Sequence, residues 1–159
     1  MKKFLFGGLG LFFFLAFLNI YKWFDGNVSY HARKDHAYSI IAKLIKASQA
    51  FYTEFGVMPN STFDLGQYAS IKGCDKLTSS ICNQENVIDY KDHIKKRWFI
   101  TNGNYEIQIN SKDNKITFYA NPSGKNFGGY PIYGFYNSLN GGIFLDYNPK
   151  KGKRFDFDL

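Results

Sequence analysis

The sequence predicts an α+β chain: an N-terminal membrane helix and an amphipathic helix, the latter packed on an antiparallel β-sheet. Three observations predict it. An uncharged apolar run fills Phe4–Tyr21 behind two lysines, apolar residues then recur at helical spacing from Ala37 to Phe55, and alternating strands flank Asn102-Gly103.

The first element is read as an anchor over residues 1–24, "MKKFLFGGLGLFFFLAFLNIYKWF". Eighteen residues of helix rise about 27 Å, enough for a bilayer core. The basic start favours a cytoplasmic N-terminus and an exported remainder, and Tyr21, Trp23 and Phe24 stand where interfacial aromatics belong. The alternative is a cleaved signal peptide, whose apolar region is shorter and ends in small residues. The bulky "NIYKWF" favours retention.

"DGNVS" at 25–29 reads as a break. The exported α+β domain then spans 25–159, with its amphipathic helix over 30–55. Ala37, Ile41, Leu44, Ser48, Phe51 and Phe55 form one face, with Ile40, Ile45 and Tyr52 widening it; Lys43 and Lys46 point elsewhere. Gly56 is placed to cap this helix, and Pro59 prevents its resumption.

Residues 60–96 show little periodicity beyond a short helical turn after Ser61. They contain the two cysteines, Cys74 and Cys82. Their spacing fits neither a CxxC redox pair nor a zinc site. In an oxidising compartment a disulfide closes a short loop; elsewhere two free thiols result.

Strands follow at 97–101, 104–109 and 115–120, joined as a meander with a tight turn at Asn102-Gly103. Tyr105, Ile107 and Ile109 share one face, while Glu106 and Gln108 share a wet one. The tail offers a further strand at 142–147, Gly-Gly turns at 128–129 and 141–142, and an alternating "RFDFDL" suited to an edge.

Chemistry-bearing motifs are sparse. His31 and His36 are five apart and do not share a helix face, and no GxSxG, HExxH or phosphate loop occurs. Gly124-Lys125 lacks Walker spacing. No catalytic residue is proposed, and the chain reads as a non-enzyme without cofactor. Asn137, Asn140, Asp146 and Asn148 could together supply oxygens for a structural calcium ion, although their spacing is not that of an EF-hand; a Gly/Asn/Asp-rich turn is the plainer reading. The formal net charge of +7 permits binding to DNA or anionic lipid. The short runs "KKR" and "KKGKR" read as solvated faces.

The order of these pieces resembles type IV pilins and the pseudopilins of type II secretion. The residues that carry the likeness are the apolar start, then Phe51, Tyr52, Gly56 and Pro59, with Met58 where the family commonly has tyrosine. The resemblance implies a helix apolar in its first half and amphipathic in its second, laid on a sheet of four or five strands. It also implies a structural subunit of an envelope filament (a fimbrium) or of a secretion or uptake machine. Its partners would be other pilin-like subunits or inner-membrane assembly proteins, with lipid contacted through residues 4–21. Gly7, Gly8 and Gly10 would allow close helix packing. The family's peptidase motif and early glutamate are absent, and no acidic residue precedes Asp25. That points to an accessory place rather than the repeated subunit. The second reading of the same topology is a signal-anchored periplasmic domain that binds another envelope protein.

Overall fold

In the computed structural model the backbone is described for residues 2–124 and 129–147, and side chains for Ala16, Leu18, Ile20, 31–124 and 129–147. The "RFDFDL" edge, Asn148, Lys125 and the run "KKGKR" lie outside the described residues. The chain divides into two compact units, Met1–Ala32 and Arg33–Leu159. In the first, the backbone is helical from Lys2 onward.

Two expectations about the N-terminal half are corrected. The break at 25–29 does not occur, because helix α1 runs from Lys2 to Phe55. Gly26 costs a helix only about 1 kcal/mol relative to alanine, and no proline is present to remove a hydrogen bond. Helix on both sides therefore carries through Asp25 and Asn27. The second correction concerns fold class. Among the described residues no helix is long and apolar enough to cross a membrane. The expected pilin-like class with its N-terminal membrane helix gives way to a seven-stranded antiparallel sheet with one main helix. The side chains of the run 4–21 expected to contact lipid lie outside the described residues, apart from Ala16, Leu18 and Ile20.

α1 ends at Gly56, whose φ of +68° is cheap only for glycine. Its N–H donates to the Tyr52 carbonyl at 2.8 Å. Pro59 is buried immediately beyond. The short helix α2, Thr62–Gly66, follows. The Asp64 carboxylate accepts from the backbone N–H groups of Asn60 at 2.7 Å and Ser61 at 3.1 Å, which fixes its start.

The strands are β1 (Lys72–Cys74), β2 (Ile88–Asp89), β3 (Arg97–Ile100), β4 (Tyr105–Lys112), β5 (Lys115–Pro122), β6 (Ile132–Asn137) and β7 (Gly142–Tyr147). Their order across the sheet is β2-β1-β3-β4-β5-β6-β7. The expected meander is its centre, β3 to β5, with Trp98 opposite Ile107 and Ile107 opposite Ala120. β1 and β2 come from the aperiodic stretch, β6 lies between the two expected Gly-Gly turns where no strand was expected, and β7 is the further strand expected at 142–147.

One sheet face carries Trp98, Ile100, Tyr105, Ile107, Ile116, Phe118 and Ile132, all buried against Ala37, Ile41, Leu44 and Ile45 of α1. The helical stripe is thus real: Ser48 is fully buried and donates its hydroxyl to the Leu44 carbonyl at 2.8 Å, and Tyr52 still packs, half-buried, against the core. Phe55, expected at its end, is 49% exposed, its ring meeting Phe51 of the same helix at 4.7 Å.

The opposite sheet face is not uniformly wet. Glu106, Thr117 and Asn121 are buried on it. The Arg97 guanidinium donates to the Glu106 carboxylate at 2.6 Å, an ion pair across β3 and β4. Farther along the same face Tyr119 meets Tyr133 at 5.2 Å, Phe135 stacks on Phe144 at 5.6 Å, and Lys115 sits 4.0 Å over Phe135. Large rings on adjacent strands screen one another and the polar groups between them, which alternation along a single strand cannot reveal.

Candidate functional site

A groove runs along the flank of α1, between the helix and the segment Tyr68–Lys72. Its deeper part is a cavity of about 310 Å³ floored by Ile40, Leu44, Ile71, Trp98 and Ile100. His36, Lys43 and Lys72 stand on its rim. A shallower hollow of about 350 Å³ continues past Ala47, Ala50 and Ala69, with Lys43 and Lys46 alongside. Lys43, Ala69 and Ser70 line both parts, so the two form one channel. None of the residues lining either part is acidic.

Each wall has a local cause. Lys43 and Lys46 lie one turn apart on α1, on the flank of the buried stripe, and both are exposed. The facing wall is braced at several points. Tyr68 and Ala69 donate their N–H groups to the Leu65 carbonyl, each at 3.0 Å, which closes α2 into the wall. Ile71 accepts from the Tyr90 N–H at 2.9 Å, and Gly73 pairs with Ile100 in the β1–β3 register. At the far end Tyr68 packs edge-on to Phe51 at 6.2 Å, and its hydroxyl donates to Glu54 of α1. That hydrogen bond pushes the Tyr68 phenol up to about 12, so it stays a neutral donor at ordinary pH. Trp98 forms the floor with only 1% of its surface exposed, backed by Tyr90 at 6.1 Å.

The disulfide stands behind this wall. Cys74, at the end of β1, is joined to Cys82, with sulfurs 2.12 Å and Cα atoms 5.7 Å apart. The next residue, Asp75, accepts from the Tyr90 hydroxyl at 2.8 Å and from the Lys95 ammonium at 2.6 Å. Lys95 first and then Tyr90 hold the Asp75 carboxyl below its ordinary value, against the opposing effect of partial burial. Burial first, then the bond to Asp75, raises the Tyr90 phenol. The loop closed by the disulfide, the buried tyrosine and the 90–95 segment form one polar clasp under β1.

The residues singled out from sequence fall elsewhere. Gly56 and Pro59 end α1 and do not line the groove. Asn137, Asn140 and Asp146 do not converge. Asn137 accepts from the Leu139 N–H at 3.0 Å, Asn140 from the Gly142 N–H at 2.9 Å, and Asp146 from the Tyr147 N–H at 2.7 Å. Asp146 pairs with Tyr133 whereas Asn137 pairs with Gly142, so the two lie four register steps, about 13 Å, apart. Among the described residues no group of three or more His, Cys, Asp or Glu is placed to hold a metal ion. A hollow of about 410 Å³ at the β4–β5 hairpin is lined by Lys112, Asp113, Asn114 and other polar turn residues, with Leu139 the only apolar side chain. It lacks the apolar floor that gives a binding site its affinity.

The groove's own residues escaped sequence reading because they come from three distant segments. The one local signal was Lys43 and Lys46 beside an apolar stripe. No family model matches the chain, nor does any curated protein or solved structure.

Proposed function

We propose that the chain is a non-enzymatic binding domain of an oxidising, extracytoplasmic compartment, and that it holds a segment of another envelope protein in the groove beside α1. One observation carries the reading: a continuous channel with an apolar floor and a rim of lysines, on a wall braced by a disulfide. Apolar floors supply affinity, and the charged rim supplies selection and encounter rate. The disulfide supports the compartment, because such bonds persist in secreted and envelope proteins. The filament-subunit reading drew on helices bundled within a membrane. With that element withdrawn, the alternative of a protein-binding domain takes first place.

The test places a photoreactive residue at Ser70, inside the groove, or at Asn110, on the other sheet face, in the full-length chain within the cells that make it. A discrete protein adduct from Ser70 and none from Asn110 is expected. The absence of any protein adduct at Ser70, or the same adduct from both positions, contradicts the proposal.

A further inference from the structure

We infer that the groove takes an acidic amphipathic helix, one bulky apolar side chain entering the cavity above Trp98 and a row of carboxylates meeting the lysine rim. This rests on the groove being the binding face and specifies what it binds.

Depth comes first. The cavity over Leu44, Ile71 and Trp98 measures about 310 Å³, room for one or two large side chains rather than a folded domain. Its continuation passes the methyl side chains of Ala47, Ala50 and Ala69, with Tyr68 also in its lining and Lys43 and Lys46 alongside. Small side chains on both walls leave room between α1 and the facing segment, so the shallow half suits a helix lying along α1 and the deep half suits its anchor.

Charge comes second. Lys43, Lys46 and Lys72 border the channel and no lining residue is acidic. The elements that border the channel also carry carboxylates: Asp35 and Glu54 of α1 and Asp89 of β2. Glu54 accepts from Tyr68. Asp89, across from Lys72 in the β1–β2 register, accepts from the Lys91 N–H at 3.3 Å. All of them keep their negative charge, but none lines the channel, whose own side chains bring Lys43, Lys46 and Lys72 and no carboxylate, so the lining itself is net positive. Lys43 and Lys46, three residues apart, match carboxylates spaced one turn apart on a partner helix. A fatty acid would bring a chain for the cavity but a single carboxylate for the lysine edge, where a helix sets several in a row. A helix uses both.

The probe is a synthetic helical peptide with leucines at i, i+4 and i+7 and glutamates on either side. It is compared with versions carrying glutamine or lysine in place of glutamate, and with oleate. The protein is the full chain carrying Trp23→Phe, which leaves Trp98 as its single tryptophan of the original two. The acidic peptide should shift Trp98 emission on saturation and should bind at least about tenfold more tightly than the glutamine version. Lys43→Glu with Lys72→Glu should weaken it at least about tenfold, and the lysine version should recover the loss. Both substitutions are at exposed positions, and an unchanged melting temperature shows that the fold survives. Equal binding of the glutamine version overturns the inference, as does indifference to the double reversal. Binding of oleate but not of the acidic peptide also overturns it and makes the cavity an acyl-chain site. A protein adduct at Ser70 whose captured segment is not acidic would sink this inference while leaving the binding reading intact. The absence of any Ser70 adduct would fail that reading itself.

Discussion

Gly134 of β6 and Ile41 of α1 approach so closely that a Cβ on the glycine would lie 2.8 Å from Ile41 Cγ2. The same atom would lie 3.0 Å from Ile45 Cδ1, with Leu145 behind it. The helix thus settles on the sheet at a point kept bare of side chain. Gly134→Ala should destabilise the domain by about 1–3 kcal/mol through overpacking. Ile41→Ala alone opens a cavity and should cost about 2–5 kcal/mol. The double variant should be more stable than the sum of the two losses implies, because each change relieves the other. Urea unfolding of the four proteins checks this, and strict additivity would show that the contact is not the constraint.

The buried stripe gives a second prediction. Leu44 is 1% exposed while its neighbour Lys43 is exposed. Leu44→Ala should cost about 2–5 kcal/mol, whereas Lys43→Ala should stay within about 0.5 kcal/mol of the parent. Equal midpoints for the two variants would place the wrong face on the sheet.

Reduction supplies the third. The Cys74–Cys82 bond closes a loop with a sequence separation of 8. Replacing both cysteines with serine should lower stability by about 2–3 kcal/mol. Intact mass after alkylation of unreduced protein should show no added label. Two labelled thiols in material taken from the producing cells would contradict both the bond and the compartment.

The clasp of Asp75, Tyr90 and Lys95 predicts a pH response at both ends. Asp75 titrates below its ordinary 3.8 in the folded protein, so its contribution is present above that value and is lost as pH falls through the depressed one. Tyr90 titrates above its ordinary 10.0, so its contribution holds below pH 10 and is lost as pH rises beyond it. Tyr90→Phe should cost about 1 kcal/mol at neutral pH and flatten the alkaline limb of a stability–pH profile. Asp75→Asn should flatten the acid limb. A profile whose limbs ignore both changes would remove the clasp from the account.

Much of the helix–sheet core was legible because its signals are local. The stripe Ala37–Ser48 reports its buried face by spacing, Gly56 reports its end, and Asn102-Gly103 reports the hairpin between β3 and β4. β1, β2 and β6 were not legible. Gly73 and Gly134 sit in strands because their neighbours need a bare backbone there, a requirement set by Phe99 and Ile41 far away in the chain. The break expected at Asp25-Gly26-Asn27 failed for the opposite reason, since weak local breakers yielded to helix on both sides. The groove was least visible. Lys43 looked like any solvated lysine until β1 brought Lys72, and β3 brought Trp98, to the same channel.

The most direct test of the groove as the binding face is lysine-reactive footprinting of the full-length protein inside intact producing cells, set against the purified protein alone. All of Lys43, Lys46, Lys72, Lys76 and Lys112 are exposed in the isolated chain and should label readily once it is purified. In cells, Lys43, Lys46 and Lys72 should be protected together while Lys76 and Lys112 stay reactive. Equal labelling of all five in cells, or protection confined to Lys76 and Lys112, would contradict a partner seated beside α1.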